Sequence, residues 1–388
     1  MVAPVLSDDV LSRCASRAPV CDVENRFFAE DFEELRSSGY LLMAVPEELG
    51  GKGMTLAEVC KEESRLAYHA PATALATNMH IYWTGVAADL WRGGDKSLQF
   101  ILDETVEGEV FAAGHGERGN DSPLLASTAS AERVDGGYKL TGRKMFGSLT
   151  PVWTRLGIHA MDTSDPENPK VVHVFMPRDT DGYRIEETWD TLGMRATRSD
   201  DTILEGAFVP DKYVGRVNAA GFAGADEFVL SIFAWAQCTF GSMYLGLARR
   251  ALDLAVADLE KKTSIALDRP SMAWYPPNQW MVSEMFIDLE GATAHVERIA
   301  DDWSNGVDHG GMWPAKLISG KYHAVEATKR IVDRAMDLSG GAGMFKGNEL
   351  ERLYRDARCG GFHPANSGLV HELVGKSVLG LLGAEPRF

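Results

Sequence analysis

Residues 337–366 read DLSGGAGMFKGNELERLYRDARCGGFHPAN, and the reading of the rest of the chain works outward from them. Ser339, Gly340, Gly341, Ala342 and Gly343 make a glycine-rich turn between two helical patterns. Successive backbone N–H groups in such a turn can form an anion-binding nest, and the same residues serve equally as a plain helix C-cap. In the helix that follows, Leu350, Leu353 and Tyr354 mark one face. Glu351, Arg352, Arg355 and Asp356 set charges at three- and four-residue spacing on the other. The pattern breaks at Gly360-Gly361, and His363-Pro364-Ala365-Asn366 leads into a last helix.

The 388 residues suffice for two or three domains around a large core. Lys plus Arg is 39 and Asp plus Glu is 56, a net charge of −17. Such a balance argues against nucleic acid or an anionic membrane as partner. The five cysteines (Cys14, Cys21, Cys60, Cys238, Cys359) are scattered and lack metal-ligand spacing. They predict a reducing, cytoplasmic setting with no structural disulfide or metal. No apolar run is expected to reach membrane-spanning length, and the N-terminus lacks the order of a signal peptide.

Residues from about 24 to 108 read as helices, with Phe27, Phe28, Phe32, Leu35 and Leu41 at near-helical spacing. Leu56 to Leu66 and Ala72 to Trp91 give two more, the latter carrying His80, Tyr82 and Trp83. From Val110 the period changes to short β-rich runs: Phe111 to Ala113, Tyr138 to Leu140, Val171 to Phe175 and Thr202 to Val209. Three long helical patterns follow Asp226, which is placed as an N-cap: one to Lys262, one over 278–303, one over 314–338. With the last helix from Ser367 they suffice for a four-helix bundle. The expectation is a mainly helical α+β protein: an N-terminal helical domain (1–108), a middle antiparallel β domain (109–220) and a C-terminal helical bundle (221–388). Helices this long usually bury a second face against another subunit.

The 337–366 stretch resembles, without a gap, the C-terminal signature of the acyl-CoA dehydrogenase family. There a Gln-x-x-Gly-Gly-x-Gly turn touches FAD, a Glu-Arg-x-x-Arg-Asp helix follows, and a catalytic Glu-Gly-Thr comes next. Asp337 stands at the Gln, and Gly340 and Gly341 at the paired glycines. The Pro46 to Gly53 turn, Leu192 to Thr197 and the order of helices, strands, helices fit the same family. Gly114 to Asp121 resembles its Thr-Glu-Pro-x-x-Gly-Ser-Asp loop, which borders flavin and thioester. Gly119 and Asp121 match it, His115 replaces Glu and Asn120 replaces Ser. Lys144 to Ser148 resembles Lys-x-Trp-Ile-Thr, so Phe146 would supply an apolar plate and Ser148 a hydroxyl for the flavin N5 edge. Lys261 stands where an Arg reaches the pyrophosphate of a neighbouring protomer's FAD, keeping the charge without the bidentate fork. The resemblance also implies Asn366 near the cofactor and a homotetramer or homodimer.

Proton abstraction is where the chain departs from the family. The usual base is a Glu just after the Arg-Asp helix, and that position is Pro364. Other members carry it on the first long bundle helix, where this chain has Ala236 and Gln237. α,β-Dehydrogenation of a CoA- or carrier-bound acyl thioester therefore needs a substitute: His363, His115 or Glu372. A lone histidine is more often structural, and Glu372 fits a solvated helix face. An alternative on the same fold is a monooxygenase that uses reduced flavin and O2, with Ser148 and His115 or His363 at the flavin edge. A third is a non-redox thioester-binding scaffold. With no nicotinamide fingerprint, electrons would pass through a separate electron-transfer flavoprotein or flavin reductase.

Overall fold

The computed structural model describes residues 4–120, 124–221 and 225–382. Five helices open the chain: α1 (Asp8–Val23), α2 (Ala29–Ser37), α3 (Leu56–His69), α4 (Pro71–Arg92) and α5 (Gln99–Val106). The α3 start is fixed by a capping box, in which the Thr55 hydroxyl accepts from the Glu58 N–H and Glu58 takes the Thr55 N–H in return. α1 lies ahead of the expected helical start. Its buried stripe is made of Val10, Leu11, Cys14 and Cys21, and Pro19 sits inside it, so its periodicity is faint in the sequence.

The middle of the chain forms one eight-stranded sheet: β1 (Phe111–Ala113), β2 (Ser130–Val134), β3 (Gly137–Gly147), β4 (Arg155–Asp162), β5 (Lys170–Pro177), β6 (Tyr183–Glu186), β7 (Asp200–Pro210) and β8 (Val214–Ala219). The order is β6-β7-β3-β2-β4-β5-β8, with β1 beside β4. The expected antiparallel sheet needs one correction. β4 runs parallel to β1 and to the start of β2, because the β2–β3 hairpin intervenes before the chain re-enters in its original direction. β4 was unreadable by alternation because its central residues are buried on both faces.

α6 (Glu227–Lys261), α7 (Pro276–Ser304), α8 (Trp313–Ser339), α9 (Glu349–Cys359) and α10 (Ser367–Leu379) complete the chain. Asp226 caps α6 by accepting from the Val229 N–H at 3.1 Å, as its position predicts. α6 is long and apolar enough by length and composition to cross a membrane, which corrects the expectation that no run reaches that length. However, 89% of its most apolar window is buried inside the molecule, so it is the central core helix. α4 crosses it so closely that a Cβ on Gly85 would meet the Trp235 ring at 2.2 Å; only glycine fits. Asp89 Oδ2 accepts from the indole N–H groups of Trp235 (2.7 Å) and Trp303 (2.8 Å), tying α4, α6 and α7 at one half-buried carboxylate.

Candidate functional site

The end of β3 meets the loop after β1. The Met145 N–H donates to the Gly116 carbonyl at 2.8 Å, and a Cβ on Gly116 would meet Met145 O at 2.7 Å and the Phe146 ring at 2.8 Å. That approach sets Phe146 facing outward, 57% exposed, with its ring edge-on to Trp189 at 6.0 Å. Phe146 has φ +61, a left-handed conformation that an aromatic residue adopts only when its surroundings impose it. Of six such non-glycine residues among the described residues, four (Phe146, Leu149, Met194, Arg198) lie in the two segments that build this corner. Those segments are laced together by Leu149 N–H to Thr197 O at 3.2 Å and Thr150 N–H to Arg198 O at 3.3 Å. Beneath Phe146 the Ser148 hydroxyl lies 2.7 Å from Ser199 Oγ, Ser199 lies 2.7 Å from Thr197 Oγ1, and Thr197 donates to Met194 O at 2.8 Å. All three hydroxyl residues are buried.

The loop itself is held by Glu117. Its carboxylate accepts from Lys144 Nζ (2.5 Å), Ser127 Oγ (2.5 Å), Asn120 Nδ2 (2.8 Å) and the Thr128 and Ala129 N–H groups. Burial favours the protonated carboxyl, but Lys144 and these donors outweigh it and keep Glu117 below the ordinary Glu range. Asn120 therefore spends its amide on Glu117 and the Ala126 carbonyl, and Gly119 is an exposed turn residue at φ +78. The matched Asp121 lies outside the described residues.

Half-buried His115 leads into two buried imidazoles, His159 and His173. His159 Nε2 is nearer the Ala126 carbonyl (3.0 Å) than the Leu124 N–H (3.4 Å), so it carries the proton and leaves Nδ1 as an acceptor. His115 Nδ1–H then donates to it at 3.1 Å, and His115 Nε2 is left as a shielded lone pair with no partner. Burial, His173 and Lys144 hold the His115 pKa well below the ordinary value, so the ring is neutral.

The second candidate corner lies farther along α6. His363 stacks on Phe240 at 5.1 Å, and its Nε2 lies 2.8 Å from the Tyr244 hydroxyl. Burial, with the charge of Lys321, brings its pKa down to about 3. Lys321 Nζ donates to three carbonyls, of Gly360 (3.2 Å), His363 (2.9 Å) and Ala365 (3.1 Å). Gln237 Nε2 donates to Pro364 O at 3.1 Å, while Gln237 Oε1 is buried without a partner. His115 is reached from α6 through Trp83 and Phe228, twelve residues before Phe240. At ~1.5 Å per residue the two histidines sit at levels roughly 18 Å apart along the helix, so they do not converge on one atom.

The remaining sequence candidates sit elsewhere. Glu372 pairs with Lys376 at 2.8 Å one turn on. Asn366 caps α10 by accepting from the Leu369 N–H at 3.1 Å. Gly340 has φ +63, and the Gly340-Gly341 turn is exposed with open space around both glycines. Asp337 and Lys261 are exposed nearby. The neighbouring Lys262, rather than Lys261, reaches the α8 end, donating to Leu338 O (3.0 Å) and Ser339 O (2.5 Å). Sequence reasoning also passed over Glu117, Ser199, Thr197 and Lys321. Of these only Lys321 carried a signal, a lysine at an inward position of its helix.

Residues 227–363 match the family model described as acyl-CoA dehydrogenase, C-terminal domain. YdbM of Bacillus subtilis (strain 168), provisionally named an acyl-CoA dehydrogenase, is 27% identical over 361 residues, covering 92% of this chain and 91% of its own. The amino sugar nitrososynthase DnmZ of Streptomyces peucetius is 29% identical over 352 residues, 86% of this chain and 82% of its own. The solved structure of KijD3 in complex with FMN and dTDP-3-amino-2,3,6-trideoxy-4-keto-3-methyl-D-glucose superposes with a TM-score of 0.84 at 25% identity, over 96% of this chain and 92% of KijD3.

Proposed function

This chain belongs to the acyl-CoA dehydrogenase-like family of flavoprotein oxidoreductases, and from that premise we propose that it is a flavin-dependent monooxygenase acting on a small amine. The observation that carries the reading is the α6–Pro364 corner. Where a carboxylate would remove an α-proton, the chain offers Pro364, Ala236 and the amide of Gln237. An amide is no base, and Gln237 Oε1, buried and unpartnered, is an acceptor waiting for an N–H. A substrate amine supplies one. DnmZ is named for an amino sugar and KijD3 was solved with one, which supports that substrate class.

The residues present fit a flavin. Phe146 offers an exposed apolar face, Gly116 lets the loop close against it, and Ser148 sets a hydroxyl at the same edge. FAD, when bound and reduced, supplies the electrons and the activation of O2. Phe146 and Trp189 exclude water from one face. Gln237 orients the amine, and Lys321 keeps the Pro364 loop in place beneath it. Reducing equivalents come from a separate flavin reductase. The outward α7 side chains Trp280 (69% exposed), Phe286 (53%) and Ile287 (64%) fit burial against a second copy, as a homodimer or homotetramer would provide.

A second reading, α,β-dehydrogenation of an acyl thioester with an electron-transfer flavoprotein as acceptor, has in its favour the name of YdbM and the place of His363 beside Pro364. One anaerobic titration separates the two. FAD-loaded protein should keep its oxidised absorbance through a panel of acyl-CoAs. After chemical reduction and admission of O2, it should add one oxygen atom to an amine, read by mass. Bleaching by any acyl-CoA would overturn the monooxygenase reading.

A further inference from the structure

The geometry points to Ser199 and Thr197 as positioning residues that turn the Ser148 hydroxyl into a pure hydrogen-bond acceptor toward the cofactor edge; the inference rests on the flavin assignment made above.

Each hydroxyl has one hydrogen to give. Met194 O has none, and Thr197 Oγ1 lies 2.8 Å from it, a separation at which two oxygens repel unless a hydrogen lies between them. The Thr197 hydrogen therefore points at Met194 O. Thr197 Oγ1 can then only accept from Ser199, 2.7 Å away, and Ser199 Oγ can only accept from Ser148, also 2.7 Å away. The three hydrogens run one way, inward. Ser148 is left presenting lone pairs, and donating along a buried chain makes its oxygen a stronger acceptor. Its backbone N–H is no alternative donor, because it is bonded to Phe146 O at 3.0 Å. The far end of the chain is anchored as well: the Met194 carbonyl also takes the Trp189 indole N–H at 3.2 Å and the Thr197 N–H at 3.1 Å.

A flavin N5 accepts a hydrogen bond when oxidised and carries an N–H when reduced. Ser148, as wired, can bond only the reduced form. The relay biases the site toward the state that must persist until O2 and substrate meet.

The test is the midpoint potential of the bound flavin in the full-length, flavin-loaded protein, titrated against reference dyes. Ser199→Ala frees the Ser148 hydrogen to bond the oxidised ring, and Thr197→Val leaves Ser199 without its inward acceptor and turns the chain outward. Both should shift the oxidised-to-reduced equilibrium about tenfold toward oxidised, ~30 mV for a two-electron couple. Ser148→Ala should lower the potential too, and adding Ser199→Ala to it should change nothing more. Wild-type potentials in both Ser199→Ala and Thr197→Val overturn the relay. So does a Ser199→Ala shift that persists without Ser148, since the effect then does not act through that hydroxyl. A wild-type protein that takes up neither FAD nor FMN overturns the flavin assignment itself, and this is read by cofactor stoichiometry before any potential.

Discussion

The Met194 N–H donates to Asp356 Oδ1 at 2.5 Å, joining the turn before β7 to α9 across 162 residues of chain. Met194 is held at φ +53 by that bond, and its carbonyl ends the Ser148 relay, so a carboxylate on the C-terminal bundle fixes the geometry of a corner of the sheet. Burial raises the Asp356 carboxyl to about 6, with Arg352 at 3.8 Å opposing the rise. Asp356→Ala leaves the Met194 N–H and Arg352 without this partner, and the expected loss is about 3 kcal/mol of unfolding free energy. Asp356→Asn, which keeps an acceptor, should lose less. Equal urea midpoints for the Ala variant and wild type would show that the bond carries no stability.

Gln237 separates stability from function. Its Oε1 is buried and unpaired, a cost of about 1–3 kcal/mol carried by the resting fold. Gln237→Met should leave the melting temperature unchanged or higher, because the loop stays held by Lys321. The same variant should raise the KM for an amine substrate about tenfold with little change in kcat. An unchanged KM would remove Gln237 from the substrate site.

Phe146 turns most of its ring away from its own chain. With most of the ring exposed, Phe146→Ala should cost under about 1 kcal/mol of stability while weakening flavin binding about tenfold, read by fluorescence titration. Phe146→Gly should be more stable than Phe146→Ala by up to about 1 kcal/mol, since glycine is at ease at φ +61. The opposite order would show that the native backbone relaxes once the ring is gone.

His173 gives the pH dependence a defined sign. It is buried against Phe228 with neither ring nitrogen bonded, and burial, then Lys144 and Arg216, bring its pKa down to about 3. As pH falls through 6.5 the unfolded imidazole takes up a proton and the native one does not until about 3. Over that window His173 removes stability at about 1.4 kcal/mol per pH unit; above it, the residue contributes no slope. His173→Phe should flatten the acid limb by one proton, measured as the wild-type minus variant unfolding free energy at pH 7.5 and pH 5. A pH-independent difference would mean that the imidazole titrates alike in both states.

What could be read from the sequence followed from the length and periodicity of each element. The long helices announced themselves: Asp226 caps where expected, and the patterns over 278–303 and 314–338 fall within one or two residues of α7 and α8. α1 did not, since its inward stripe includes two cysteines, and neither did β4, whose buried run has no alternation. For the candidate site, motif likeness singled out Phe146, Ser148 and His115, residues whose chemical type or position the resemblance keeps. It could not find Ser199, Thr197 or Glu117, because a serine, a threonine or a glutamate is ordinary by type and becomes informative only when burial shows what it is bonded to. Pro364 was legible as a missing carboxylate. That Gln237 bonds the Pro364 carbonyl and keeps an idle amide oxygen beside it required the packing.

The Lys321 ammonium grips residues 360–365 by main-chain oxygens alone, and those oxygens are the same whatever side chains the segment bears. The segment resembles a socket: it is gripped from behind, and the side chain displayed at 364 takes no part in the grip. A lineage could thus trade one reaction for another by point substitution at a single display position, with the scaffold's folding free energy largely insulated from the experiment.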